Sequence, residues 1–145
     1  MTPTRILPDL QCSLLCEEVR QEMNGNLILI GVIQFLRVPQ LPITAGRLCV
    51  FNRWTAGIGQ FTESTRLIAP DQTTVVSKGE MKFELRDPSH SAIGVLVFGN
   101  VKFETAGTYF VEVTVEDVMK LRYPLIVAHV PPPNQPASTT QAPKA

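Results

Sequence analysis

The chain lacks an excess of charge of either sign: lysine plus arginine number 13, and so do aspartate plus glutamate. Without a net field nothing draws in a phosphate backbone or an anionic lipid surface at long range, so neither nucleic acid nor membrane is an expected partner. Cysteine occurs 3 times and histidine 2. The odd cysteine count argues against a disulfide framework and agrees with free thiols in a reducing, cytoplasmic compartment. Long apolar runs are missing too. The longest, LILIGVI at 27–33, falls far short of the roughly 20 residues of a membrane-spanning helix. The opening MTPTRILPDLQCSLLCEEV interrupts its apolar residues with prolines and an aspartate, which gives no secretory signal. No segment of useful length carries a 3.6-residue apolar period, although EEVRQE has room for one helical turn.

What is present reads as strands. Hydrophobic residues make up 44% of 145 positions and charged residues 18%, the balance of one globular domain rather than a disordered chain. Asn24-Gly25 lies between CEEVRQE and LILIGVI, and this pair suits the two positive φ angles of a type I′ hairpin turn. Gly31 marks a bulge or the close approach of a neighbour. Pro39 and Pro42 in RVPQLP impose an extended loop where the chain changes sheet. RLCVFNRW (47–54) is the next strand, TAGIG turns it back, and QFTESTRLIAPD (60–71) returns to a turn at Pro70-Asp71. In GEMKFELRD, Met81, Phe83 and Leu85 alternate with Lys82, Glu84 and Arg86, which describes a half-buried strand. AIGVLVFGNVKF (92–103) is apolar on both parities, as a fully buried strand broken at Gly99-Asn100 would be. Tyr109, Val111, Val113 and Val115 share one parity, with Phe110, Glu112 and Thr114 on the other, wetter face. Pro124 inside LRYPLIVAHV marks an edge strand or a bulge.

About eight such strands make an all-β, two-sheet antiparallel sandwich over residues 1–130. From Pro131 the composition changes to PPPNQPASTTQAPKA, a flexible proline-rich spacer over 131–145. Its Pro133 to Pro136 spacing is what a proline-rich tail gives by chance.

T-A-G-T-Y-F-V at 105–111 resembles the tyrosine corner of immunoglobulin-like sandwiches, in which a tyrosine hydroxyl bonds to backbone a few residues upstream. Val111 stands where antibody domains place a cysteine, so the likeness is to the architecture. CEEVRQEMNGNLILIGVI, LIAPD and VKFETAGTYFVEV also resemble a family of small, uncharacterised bacterial sandwich proteins, across residues 7 to 130. That resemblance implies a bacterial, cytoplasmic, single-domain protein and assigns no site.

Constellations that carry chemistry are weak. Cys12, Cys16 and Cys49 lack zinc-ligand spacing and read as buried thiols. His90 in a turn and His129 near the last strand's end have no local group to orient them as bases. Asp71, Asp87 and Asp117 sit on separate turns as caps rather than as a calcium cluster. The glycines of AGIG suit a hairpin turn better than a phosphate cradle. The expected protein is therefore a non-enzymatic interaction or structural module without a cofactor. It contacts a protein partner or a second copy through an edge strand or loops, and its candidate surface is Trp54, Phe110, Lys120 and Arg122. The alternatives are a carbohydrate-binding module using Trp54 and adjacent loops and a small hydrolase, although sandwich cores commonly hold one tryptophan and Trp54 suits that place better than a stacking surface. No residue specifies a small-molecule ligand.

Overall fold

The computed structural model describes residues 5–131. The proline-rich segment from 132 onward, with its Pro133 to Pro136 spacing, lies outside the described residues. The strands are β1 (Asp9–Gln21), β2 (Leu27–Val32), β3 (Phe35–Val38), β4 (Ile43–Thr55), β5 (Gly59–Ile68), β6 (Val75–Leu85), β7 (Ser91–Phe103), β8 (Gly107–Val115) and β9 (Val118–His129). Among the described residues there is no helix, and EEVRQE lies in or beside β1.

The strands form two sheets, a four-stranded one ordered β2-β1-β4-β7 and a five-stranded one ordered β3-β9-β8-β5-β6. Nine strands stand against the expected eight or so. The addition is β3, too short and too mixed in composition to signal itself. Its pairing with β9 is parallel, which corrects the wholly antiparallel expectation. The chain leaves the first sheet after β2 and returns to it through the Pro39 and Pro42 loop, so that loop does change sheet.

Two turns differ from the sequence reading. At Asn24-Gly25 only Gly25 has positive φ (95°). Its amide donates to the Glu22 carbonyl at 2.9 Å, and the Glu22 amide donates to the Asn26 carbonyl at 2.7 Å. This is a three-residue loop, a type I turn closed by a left-handed glycine, rather than a type I′ turn. The AGIG segment makes no hairpin, because β4 and β5 belong to different sheets. It crosses between them, held where the Ile58 amide donates to the Ile6 carbonyl at 3.0 Å.

The core lies between the sheets. Leu15, Leu48, Val50, Trp54 and Phe98 come from one side, and Phe61, Leu67, Tyr109, Val111, Val113 and Leu125 from the other. Tyr109 is 1% exposed. Its hydroxyl donates to the Thr105 carbonyl at 2.8 Å and its ring meets Phe103 edge-on at 5.1 Å. β7 runs unbroken through Gly99-Asn100, but the buried parity changes there, from Leu96 and Phe98 to Val101 and Phe103. Asn100 has positive φ (52°) at that change. Burial is therefore confined to one face, and Ile93 and Val97 point outward.

Candidate interaction surfaces

The outer face of the five-stranded sheet is polar and internally paired. Glu112 on β8 lies opposite Arg66 on β5 and opposite Arg122 on β9. Both guanidiniums reach its carboxylate, at 2.5 Å and 3.4 Å. Arg122 also lies 4.0 Å over the Phe110 ring and donates to Gln72 at 3.2 Å. Glu112 is thereby 7% exposed although its parity is outward. Two expected surface residues, Phe110 and Arg122, are thus brought together, but onto each other: the arginine covers the aromatic face. Lys120 sits at the register shift between Val113 and Thr114 and joins no part of this group. Around it the sheet carries Lys78, Glu80, Lys82 and Glu84 of β6, with Lys78 paired to Glu80 at 3.5 Å.

The outer face of the four-stranded sheet differs. Residues directly opposite in an antiparallel ladder share a face. One such row runs Val32, Cys16, Cys49, Val97 across all four strands. The next runs Leu14, Phe51, Val95, and on the other side of the first row Ile30 and Ile28 of β2 lie opposite Glu18 and Arg20. Val97 is 59% exposed and Val32 54%. Ile28, Ile30, Leu14 and Ile93 are exposed as well. Charge is confined to the ends of this face. Glu18 lies at one end, bonded to Arg20 at 2.8 Å and 3.6 Å from Arg47, and Arg53 at the other. The shorter side chains of Cys16 and Cys49 sink between these neighbours and are buried. Burial, then the nearness of Cys49, pushes the Cys16 thiol pKa up, so it is no activated nucleophile. Sequence reasoning carried the signal for this face in the two segments apolar on both parities, LILIGVI and AIGVLVF, but assigned both sides of the second to the interior.

Trp54 is no surface residue. It is fully buried, because its parity on β4 faces the core, and it is stacked on Phe83 of β6 at 5.5 Å. Beside it lies Glu63, also fully buried. Asn52 donates to Glu63 Oε1 at 2.8 Å and to the Thr65 hydroxyl at 3.0 Å. Glu63 Oε2 and Trp54 Nε1 complete no well-aligned hydrogen bond. Burial pushes the Glu63 carboxyl pKa up, against the lowering effect of Asn52 and the nearby indole. Gly94 makes room for this carboxyl, since a Cβ there would fall 1.8 Å from Oε2.

The remaining candidates are dispersed. β9 is interior over Ile126–His129, where β3 pairs with it, but among the described residues no strand pairs with the outer side of 118–125. Pro124 therefore lies on a partial edge. Tyr123 in that stretch is held by Ser13 at 3.0 Å, and burial pushes its phenol up to about 12. His90 lies on the Asp87 turn, and the His129 ring bonds to the Pro39 carbonyl at 3.1 Å. Asp71 caps its own turn through Thr73 and Thr74, and these bonds hold its carboxyl down at about 2. Among the described residues no three histidine, cysteine or acidic side chains converge as a metal site. An open cleft of about 530 Å³ lies at one end of the molecule, where Arg5 pairs with Glu116 at 2.7 Å over Phe61 and Phe83.

A search of curated proteins finds no match. A family model does match, over residues 11–128, and so takes in β2 to β8 whole, all but the outermost residues of β1 and β9, and both outer faces. The chain belongs to the family of unknown function DUF6941.

Proposed function

We propose that this protein is a non-enzymatic interaction module whose contact surface is the outer face of the β2-β1-β4-β7 sheet. The observation that carries this reading is the row Val32, Cys16, Cys49, Val97 with its flanking aliphatic residues, exposed at both margins and free of charge at its centre. A contiguous apolar patch of this kind, closed at its ends by charges, is the signature of a surface that is covered in use. An immunoglobulin-like arrangement of the sandwich is part of the proposal. The parallel β3-β9 pair beside an antiparallel sheet, and the Tyr109 hydroxyl bound to the backbone four residues upstream, support it. Three free thiols suit a reducing, cytoplasmic location.

The test is covalent surface footprinting of the full chain, once in its native extract and once purified and dilute. Protection of Leu14, Ile30, Val32 and Val97 in the extract, with Lys82 and Glu84 labelled equally in both, is the expected result. Equal labelling of the apolar face in the two samples overturns the reading.

A further inference from the structure

The apolar face has to be covered by something, and the chain's own remaining segments are unsuited to it. Residues 1–4 (MTPT) and 132–145 (PPNQPASTTQAPKA) contain no leucine, isoleucine, valine or aromatic residue. A lipid surface fits poorly as well, because the end of the face near Glu18 carries acid and base together and the whole chain has net charge +0. We infer that the occupant is a second copy of this chain, packed sheet on sheet through the same face. This inference rests on the interaction-module reading above.

Two features favour self-association. The first is size: the exposed parts of Ile28, Ile30, Val32, Leu14, Ile93 and Val97 amount to on the order of 500 Å². That approaches the apolar share of the roughly 800 Å² each partner contributes to a standard interface. The second is the layout of the face, which is self-complementary. Its two margins are both aliphatic, Ile28, Ile30 and Val32 on β2 and Ile93, Val95 and Val97 on β7, with the small cysteines in a trough between them. A two-fold axis running along the strands lays β2 of one copy on β7 of the other and β1 on β4, so that Val32 meets Val97 and Leu14 meets Phe51 of the second copy, while Ile28 and Ile30 lie over the Gly99 end of β7. Aligned sheets packing face to face at about 10 Å separation interdigitate in this way. The same axis sets this charged end on its counterpart and Glu18 on β1 of one copy over Arg47 on β4 of the other, so opposite charges meet at the rim.

The experiment is sedimentation equilibrium of the full chain, unaltered and with Val97→Lys or Val32→Glu, followed by an equimolar mixture of the two variants. Both positions are more than half exposed, so the substitutions leave the monomer folded, which circular dichroism checks. The expected result is a dimer of the unaltered chain. Each variant alone should weaken it at least about a hundredfold, and a one-to-one heterodimer should return in the mixture. A chain that stays at 16.0 kDa up to about 100 µM overturns the inference. If the extract footprint still shows the face protected, that outcome leaves the interaction-module reading standing with a different partner. A dimer untouched by both substitutions overturns the inference too, and two weakened variants without a heterodimer overturn the assigned axis.

Discussion

At the centre of the five-stranded sheet's outer face lies Glu112, held between Arg66 and Arg122, whereas the four-stranded sheet has Cys16 and Cys49 between Val32 and Val97 at its centre. On the first face each charged group finds its partner within the sheet, and the one aromatic, Phe110, is roofed by Arg122. The second face completes nothing by itself. Its side chains find no partner above them among the described residues, and the thiols beneath add no polar anchor. One two-sheet domain thus presents a finished surface and an unfinished one, and the difference lies in what each row of the ladder can satisfy locally.

The largest break in this contrast should come from Glu112→Ala, which leaves two guanidiniums facing each other without their carboxylate. We expect a loss of about 2 kcal/mol in urea denaturation, less than for a fully buried ion, because both arginines are a third or more exposed. Next in size is Tyr109→Phe, which strands the Thr105 carbonyl between the two faces and should cost about 1 kcal/mol. An unchanged midpoint would show that water takes the hydroxyl's place. Glu63→Gln should act in the opposite direction. Because burial holds the Glu63 pKa above its unfolded value, the folded state keeps a proton that the unfolded chain gives up. Its stabilising contribution is therefore complete at acidic pH and declines as pH rises above about 4.5. The glutamine variant should remove that decline and gain about 1 kcal/mol at pH 8, the cost of an unmet buried acceptor. A parallel pH profile for the two proteins would contradict this. The smallest effect belongs to the apolar face: Leu14→Ser should change the stability of the dilute monomer by no more than about 0.5 kcal/mol. A larger loss would make Leu14 part of the core and narrow the contrast.

Much of this contrast was legible in the residues. The alternation of Met81, Phe83 and Leu85 with charged neighbours describes β6 correctly, and the parity of Tyr109 to Val115 orients β8. Phe110 and Arg122 carried a true signal, since both lie outward on neighbouring strands, but period-two patterning says nothing of which strands adjoin. Their stacking and the roles of Arg66 and Gln72 therefore needed the ladder. Trp54, at a strand end, fitted a stacking surface less well than the core place of a sandwich tryptophan, and its inward parity on β4 puts it in the core. Glu63 gave no local sign, because a glutamate among threonines and serines reads as solvated. The apolar face was concealed by its own composition. A strand apolar on both parities is equally compatible with burial on two sides and with one side left open.

That ambiguity gives the three-residue loop at Met23-Asn24-Gly25 a role beyond joining β1 to β2. Either parity of β2 is largely aliphatic, Leu27 and Leu29 on one side and Ile28, Ile30 and Val32 on the other, so hydrophobicity cannot choose between the two registers. The choice falls to the pair that the loop closes, Glu22 with Asn26. Pairing Glu22 with Leu27 instead would carry Leu27, Leu29 and Gly31 outward and set the Val32 side chain beneath Glu17, which now crosses the bare backbone of Gly31. The hairpin loop is in effect a parity selector, and a one-residue slip in the pair it closes would exchange one face of β2 for the other without altering any residue of either sheet.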